Sequence, residues 1–291
     1  MVVLCATNMV VIKYSEAHFD ASAFSLGRFC IAALAFAPFL SEGLADKALW
    51  APAAELGLWM GLGYLTQAQG LLTVDASRAA FISTLTVVVV PILAGLTGKG
   101  VRALTWASAL GAVLGCALLG TGGGSGFGTG DLLSVLSAVF FGIQVFRTEH
   151  VAHKLKPGKQ LPLMALTLSS VAAVMLVSAA FVHPAEVQRI LSAPASFGAA
   201  LRDQGVPWWQ MLYTGVLSTD AVLLIEVFAL NDVPSTDAAI IYSMEPVLGA
   251  GLAWAVLGER WGPLGWLGAG IILTSSLAAQ IFGSSCAEKS S

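Results

Sequence analysis

Apolar runs of about 20 residues alternate along the chain with short segments that carry charges, glycines or prolines. An α-helix of about 20 apolar residues is long enough to cross the hydrocarbon core of a bilayer, which is about 30 Å thick. The pattern therefore predicts ten membrane-spanning helices joined by polar loops. We expect these helices near residues 1–14, 21–40, 52–73, 77–98, 102–120, 129–149, 160–182, 207–230, 234–257 and 261–283.

The first apolar run is shorter than the others. As a helix, Val2 to Tyr14 rises only about 20 Å, which is less than the thickness of the hydrocarbon core. We therefore expect the N-terminus to lack a turn or more of the first helix. The start of the chain shows no basic segment and no small-residue cleavage site, so we expect no cleavable signal peptide in this sequence.

The ninth apolar run contains a charge and a proline. Glu245 is the only charged residue between Ala238 and Gly258, and it lies about a third of the way along the predicted helix. Pro246 follows it directly, and a proline inside a helix removes a hydrogen bond and bends the axis. An ionisable residue inside a membrane span indicates a functional site by default, although a buried anchor on a neighbouring helix is the alternative.

Composition agrees with this pattern. Hydrophobic residues make up 57% of the 291 residues and charged residues only 11%, compared with roughly 25% in soluble domains. The chain is therefore predicted to be an all-α integral membrane protein with the lipid bilayer as its surroundings. The net charge of −3 and the lack of a basic run argue against nucleic acid as a partner.

Neither a metal site nor an active site is predicted. The cysteines form no C-x-x-C motif and no cluster with histidine, so no disulfide framework, metal or cofactor is expected. An intramembrane enzyme would need a nucleophile with a base, or a metal-binding group at membrane depth. All four histidines lie in loops or at the ends of spans, which favours a protein that is not an enzyme.

Basic residues predict the orientation, since Lys and Arg are enriched in cytoplasmic loops. The most basic loop is Arg147 to Lys159, between the sixth and seventh spans. With this loop in the cytoplasm, both termini are also cytoplasmic. Lys47, Lys99, Arg102 and Lys289 then lie on the cytoplasmic side, and Arg78, Arg189, Arg202 and Arg260 on the opposite side.

The chain divides into two similar halves. The segment Ser77 to Ile82 aligns with Thr236 to Ile241, and Trp106 aligns with Trp266 after a shift of one residue. Because each half holds an odd number of spans, the second half enters the membrane from the opposite side. The sequence predicts two inverted five-helix repeats, with a substrate site near the bilayer midplane where they meet.

We assign residues 1–120 to the first repeat, 131–283 to the second and 284–291 to a C-terminal tail. The glycine-rich segment 121–130 lies between the repeats. It lacks the spacing of a phosphate-binding loop and no strand precedes it, so it is predicted to be a flexible linker.

Several motifs resemble the EamA family of the drug/metabolite transporter superfamily. The most specific is E-P-V at Glu245 to Val247 followed by G-E-R at Gly258 to Arg260. Further matching segments are A-A-I-I-Y-S-M at Ala238 to Met244, S-R-A-A-F-I-S at Ser77 to Ser83, N-M-V-V-I-K at Asn8 to Lys13 and G-R-F-C-I-A-A-L at Gly27 to Leu34. The resemblance covers nearly the whole chain, in two copies.

This resemblance implies ten helices in an inverted repeat around a central cavity. It further implies that the first, third, fourth, sixth, eighth and ninth helices line the cavity, and that the protein moves small organic metabolites. Transport by exchange, by proton coupling and by facilitated diffusion all remain open. Two features depart from the family pattern: the first helix is short, and Glu226 stands where similar proteins often have a neutral polar residue.

Helical spacing indicates which polar residues share a face. Tyr242, Glu245 and Gly249 lie on one face of the ninth span, and Ser83 and Thr86 on one face of the fourth, so we expect these faces to meet in the cavity. On the third span Tyr64 and Gln67 share a face, whereas Gln69 is about 200° from Gln67. The residues predicted to line the cavity are Asn8, Lys13, Tyr64, Gln67, Ser83, Thr86, Gln144, Glu226, Tyr242 and Glu245.

Other polar residues and prolines are expected to have structural roles. These residues are Arg28, Pro91, Pro246, Glu259 and Arg260. Arg28 is expected to hold the second helix to a neighbouring carbonyl or acid. Lys13 could instead extend to the membrane interface. Glu226 has three alternative roles: a proton-coupling site, a partner of Lys13, or a group that binds a cationic substrate.

The sequence thus predicts a multi-pass secondary transporter of a small organic metabolite that works by alternating access through a central cavity. One alternative is a phosphate-sugar or nucleotide-sugar exchanger of the same superfamily, which should carry several Lys or Arg in its cavity. Another is a membrane scaffold that transports nothing. The oligomeric state is either a monomer or a homodimer, and the location either the plasma membrane or a plastid envelope.

Overall fold

A computed structural model of the protein describes residues 2–96, 103–122, 127–152, 154–182, 184, 206–224, 245–260 and 262–283. These residues are nearly all helical and form no β-strand. The helices are α1 (Val2–Glu16), α2 (Ala21–Ala35), α3 (Ala37–Ala45), α4 (Trp50–Leu71), α5 (Ala76–Ser83), α6 (Leu85–Leu96), α7 (Ala103–Gly122), α8 (Thr129–Ala152), α9 (Gln160–Val182), α10 (Trp208–Leu212), α11 (Glu245–Val256) and α12 (Pro263–Gly283). A 3₁₀ turn, Lys47–Leu49, precedes α4, and α10 continues into a π-helix, Tyr213–Asp220.

Apolar helices dominate the described part of the chain, as expected of an integral membrane protein. By length and composition, α8 and α9 can each cross a membrane. The pair α2 and α3 forms a third candidate span, with a bend of 74° between its two helices. The helices α11 and Pro263–Ser275 are apolar but shorter than a full span within the described residues.

Two predicted spans are divided where one continuous helix was expected. The second span breaks at Phe36, and Pro38 then lies at the start of α3, where a proline is tolerated because the first N–H groups of a helix have no partner inside it. The fourth span breaks at Thr84, between α5 and α6. There the Thr84 hydroxyl donates to the carbonyl of Phe81, and such local bonds compete with the regular helix.

Glycines allow the helices to approach one another closely. A Cβ atom on Gly57 of α4 would lie 2.4 Å from the Ser170 Cβ of α9, and one on Gly115 of α7 would lie 2.8 Å from the Gly268 carbonyl of α12. Close packing of small residues is the main source of helix association in lipid, where the hydrophobic effect does not act between helices. These contacts lie within one chain.

Ion pairs join the helix ends on the side of the bundle where α8 ends and α9 begins. Arg147 at the end of α8 contacts Glu55 at the start of α4 at 2.6 Å. Lys159 lies 3.0 Å from Glu42 and 3.8 Å from Asp46. The hydrogen bond with Glu42 raises the pKa of Lys159, which lies in the loop before α9.

We expect Gly57→Ala to destabilise the protein. The added methyl group would lie 2.4 Å from the Ser170 Cβ and 2.8 Å from the Thr167 carbonyl, so α4 and α9 must separate. Overpacking of this kind costs about 1–3 kcal/mol. The measurement is the thermal unfolding midpoint of the purified protein in detergent.

The matched control is Gly251→Ala, because nothing lies within 4 Å of a Cβ atom at that helical glycine. The unfolding midpoint of this variant should equal or exceed that of the wild type, since alanine favours a helix more than glycine does. Equal midpoints for Gly57→Ala and the wild type would contradict close packing of α4 on α9.

Candidate functional site

The helix that carries Glu245 packs directly on α1 and α5. A Cβ atom on Gly249 of α11 would lie 3.4 Å from the Ala80 Cβ of α5 and 3.9 Å from the Ala6 carbonyl of α1. Residues four apart share a helix face, so Glu245 and Gly249 both lie on the face turned towards these two helices. Glu245 is half-buried and forms no hydrogen bond or ion pair with any residue that the structure describes.

The aromatic rings next to Gln67 form a packed group. The Tyr64 ring lies 4.7 Å from the Phe29 ring and 4.8 Å from the Phe141 ring, edge to face in the second case. Gln67, one turn further along α4, is 8% exposed, whereas Gln69 is only half-buried. The amide of Gln67 therefore lies inside the bundle.

The predicted hydroxyl and amide groups on other helices donate to nearby partners. Ser83 Oγ donates to the Ala80 carbonyl at 2.7 Å, within α5. Thr86 Oγ1 donates to the Ala138 carbonyl at 3.2 Å and so connects α6 with α8. Gln144 Nε2 donates to Thr148 Oγ1 at 2.9 Å. A carboxamide oxygen and hydroxyl lone pairs remain to accept hydrogen bonds at these positions.

Asn8 of α1 differs from these groups. Its Oδ1 atom is buried and has no hydrogen-bond partner. A buried amide oxygen without a hydrogen-bond partner lowers the stability of the fold. It therefore indicates either a position that binds a ligand or a site where the fold is destabilised.

Lys13 has a partner that sequence spacing did not indicate. Its Nζ atom donates to the carbonyl of Leu71, the last residue of α4, and to the Val74 carbonyl at 2.8 Å. The C-terminal carbonyls of a helix lack partners inside it and attract positive charge. This contact joins α1 to the end of α4, and the cavity position of Lys13 stays a prediction beside it.

Arg28 is fully buried in the bundle, with 1% of its surface exposed. Its guanidinium lies 4.5 Å from the centre of the Phe29 ring and 4.9 Å from that of Tyr64. The expected hydrogen bond to a carbonyl or acid is not formed by Nε or Nη1 with any described residue. Two cation–π contacts hold the guanidinium, and the acid Glu16 interacts with its charge, so the predicted tie of Arg28 to an acid stays a prediction.

The G-E-R motif joins the end of α11 to the start of α5. Gly258 has a φ of 71°, a left-handed conformation that glycine adopts without strain at a helix end. The turn brings Glu259 to α5, where its carboxylate accepts from the backbone N–H of Ala76 at 2.7 Å and from that of Ser77 at 3.0 Å. Glu259 is thus an N-cap supplied from another helix.

Two arginines, Arg260 and Arg78, lie near the same end of the bundle. Arg260 lies over the Trp254 ring, 4.5 Å from its centre, and donates to the Trp254 carbonyl at 2.9 Å. Arg78 of α5 forms a buried ion pair of 2.6 Å with Asp131 of α8. Asp131 also accepts from the Gly128 backbone N–H at 2.8 Å, which caps the start of α8.

The side-chain contacts of the remaining predicted residues are described only in part. Glu226 and Tyr242 lie outside the described residues. The backbone at Pro91 belongs to α6. Pro246 is buried in the first turn of α11, and the residues that would form the preceding part of the predicted span lie outside the described part of the chain.

Asp220 is a candidate that the sequence analysis missed. It is 3% exposed, and neither carboxylate oxygen has a hydrogen-bond partner. It ends the π-helix, a form of helix that occurs frequently at functional sites. The sequence contained the pattern that would have identified it, because Asp220 is an acid inside an apolar run, as Glu245 is.

Comparison with known proteins identifies the family. The model of the EamA-like transporter family matches residues 1–121 and 128–279. An uncharacterized transporter of Archaeoglobus fulgidus is 28% identical over 272 residues, which cover 93% of this chain and 80% of the relative. One crystal structure of a protein with 15% sequence identity has a TM-score of 0.60 and covers 100% of this chain and 96% of its own, which shows a shared fold.

We expect Glu259→Ala to destabilise the protein by about 1 kcal/mol, the usual effect of losing an N-cap. The reason is that two backbone N–H groups at the start of α5 lose their acceptor. Denaturant titration of the purified protein measures the change in the free energy of unfolding.

Glu55→Ala serves as the control, because it removes an acid from a partly exposed ion pair whose contribution is typically below about 1 kcal/mol. If Glu259→Ala destabilised the protein no more than Glu55→Ala does, the capping role would be wrong.

Proposed function

The chain belongs to the EamA-like transporter family, and on that premise we propose that it is a secondary transporter of a small organic metabolite. Membership establishes an integral membrane protein and a membrane transporter in general, and it points away from an enzyme. The proposed mechanism is alternating access through a central cavity between the two halves of the chain.

We propose that ten helices form two inverted five-helix repeats, residues 1–120 and 131–283, joined by the linker 121–130. The pattern of helix contacts is the observation that carries this proposal. Spans that occupy equivalent places in the two halves pack on each other: α2 on α9, α5 on α11, and α7 on α12. A two-fold axis between the halves would produce such pairs.

Two further sets of contacts are ones that the same axis would exchange. The third span contacts the sixth (α4 with α8), and the eighth contacts the first (the π-helix with α1). The third also contacts the seventh (α4 with α9), and the eighth contacts the second (the π-helix with α2). The family model supports the same division, since the gap between its two matched segments, residues 122–127, falls within the glycine-rich run.

The proposed substrate site contains one acidic pole and several neutral polar groups. Glu245 supplies the charge, and Asn8, Tyr64 and Gln67 supply aromatic and amide groups. Thr86, Ser83 and Gln144 supply hydrogen-bond acceptors from the facing helices, and Glu226 and Tyr242 complete the predicted set. The acidic pole favours a substrate other than a sugar phosphate, because a phosphate group would need cations in place of Glu245 and Glu226.

We also propose that both termini lie in the cytoplasm, from the distribution of Lys and Arg among the loops. The membrane is either the plasma membrane or a plastid envelope. We further propose that Glu245 takes up and releases a proton during transport, since carboxylates inside membrane spans serve as proton relays in transporters.

Uptake into proteoliposomes tests the proposal. Labelled amino acids, nucleobases, organic cations and sugar phosphates are supplied as pools, with and without an inward proton gradient. We expect the wild type to accumulate one class and Glu245→Gln to lose at least about tenfold in initial rate, since the loss of a charge contact of about 1.4 kcal/mol has this effect.

Glu42→Gln is the control for Glu245→Gln, because Glu42 lies on α3 with 53% of its side chain exposed. Its uptake should equal that of the wild type. Absence of uptake of every class by folded protein, with counter-substrate inside and both orientations present, would contradict the transporter proposal. Accumulation of sugar phosphates alone would instead favour the exchanger alternative.

A second test compares two glutamines on one helix. We expect Gln67→Leu to lower the rate of uptake about tenfold, because it removes an amide that lies inside the bundle. Gln69→Leu should change the rate less than about twofold, because Gln69 is on another face of α4. Equal effects of the two substitutions on kcat/KM would exclude Gln67 from the substrate site.

A further inference from the structure

A cavity of about 330 Å³ lies where α2, α3, α9 and the π-helix meet. The bend of 74° between α2 and α3 lies at this point, at Phe36. The lining includes Phe36, Phe39, Leu161, Val216 and Leu224, all apolar, together with the carboxylate residue Asp220. Ligand sites in proteins have volumes of about 300–1,000 Å³ and combine an apolar lining with a few polar groups, as this cavity does.

The π-helix brings Asp220 to the cavity. Thr219 Oγ1 donates to the Thr214 carbonyl five residues earlier at 2.8 Å, a spacing that belongs to the wider π-helical turn. Gly215 contacts the backbone of α2 so closely that a Cβ atom would lie 2.6 Å from the Arg28 carbonyl oxygen. The π-helix is therefore fixed against α2, with its last residue at the cavity wall.

The carboxylate of Asp220 has no counter-charge among the described residues. It is 3% exposed, and both of its oxygens lack hydrogen-bond partners. The cations on neighbouring segments are engaged elsewhere. Arg28 lies over two aromatic rings, Lys13 donates to the carbonyls of Leu71 and Val74, and Lys159 pairs with two carboxylates. The helices α9 and α10 contain no basic residue.

A buried carboxylate without a partner is costly, and in a membrane bundle such a group marks a site for an ion or a ligand. The cavity lining determines which ligand fits. An anion would be repelled by Asp220, and a sugar would find few hydrogen-bond donors among these apolar side chains. An organic cation with an apolar body can pair its charge with the carboxylate and pack its body against Phe36 and Phe39, with attraction between the charge and the rings.

We propose that this cavity is a binding site for a lipophilic organic cation, with Asp220 as the counter-ion and Phe36 and Phe39 as the apolar contacts. The site lies outside the residues proposed for the substrate pathway. The inference goes beyond the proposed function, because binding at equilibrium requires no transport and can be measured without it.

Equilibrium binding of radiolabelled tetraphenylphosphonium to the full-length protein in nanodiscs tests the proposal. We expect saturable binding to the wild type and an affinity at least about tenfold lower for Asp220→Asn. Asp220→Glu, which keeps the charge, should lose less affinity than Asp220→Asn. Phe36→Ala should weaken binding severalfold, because it removes a ring from the cavity wall.

The matched control is Glu16→Gln, since Glu16 is another buried carboxylate whose oxygens have no hydrogen-bond partner, and it is not among the residues that line the cavity. Its affinity for tetraphenylphosphonium should remain within about twofold of the wild type. Thermal unfolding of each variant shows whether it is folded. A further comparison needs no variant: tetraphenylborate, an anion of the same shape, should not bind saturably to the wild type.

Three results would overturn the proposal: no saturable binding to the wild type, equal binding by the wild type and Asp220→Asn, or equal saturable binding of the cation and the anion. A wild type that fails to bind the cation, together with a proton-driven uptake that Asp220→Asn abolishes, would identify a proton site in place of a cation site. If the wild type bound the cation but took up none of the substrate pools, the proposed function would be contradicted and this binding site would still stand.

Discussion

A charge inside a membrane protein must find its partner within the protein, because the lipid chains around it cannot solvate it. Most of the charged side chains in the described helices have a partner within the protein. Lys13 donates to the carbonyl of the last residue of α4, Glu259 accepts from the N–H groups at the start of α5, and Arg78 pairs with Asp131. Each of these contacts joins two different helices, so the charges also help to fix how the bundle is assembled.

Against that background, the acids that remain without partners are informative. Asp220 and Glu245 form no ion pair within the described residues, and each is the only charged residue of its helix. Glu16 also lacks a hydrogen bond, but it interacts with the positive charges of Arg28 and Lys13. The free energy cost of leaving Asp220 and Glu245 unpaired is expected to be retained only where a ligand or a proton uses the charge. The contacts of a charged residue therefore indicate whether its role is structural or functional. The residue type alone does not indicate this.

Close packing is the second requirement of the fold. Glycines on α4 and α7 bring these helices against α9 and α12, and Gly249 does the same for α11 against α1 and α5. In the proposed alternating-access mechanism, movement of one half relative to the other would slide along these interfaces. Smooth glycine-lined surfaces are suited to such movement, whereas the buried pair of Arg78 and Asp131 would resist it.

The sequence by itself determined the class of protein, the family and the approximate helices. Runs of apolar residues have a length set by the bilayer, and the E-P-V and G-E-R motifs are local, so each can be read without knowing the fold; the family prediction is confirmed by the match over both halves. Spacing also placed Gln67 and Glu245 on particular helix faces. Only the tertiary structure decided the partners of the charges.

The reason is distance along the chain. The contact of Lys13 with Leu71 spans 58 residues, and that of Glu259 with Ala76 spans 183 residues, so no local pattern contains either of them. The π-helix that ends at Asp220 also involves a distant segment, because its Gly215 lies against the backbone of α2. Helical periodicity specifies which way a side chain points, and packing alone specifies what it meets there.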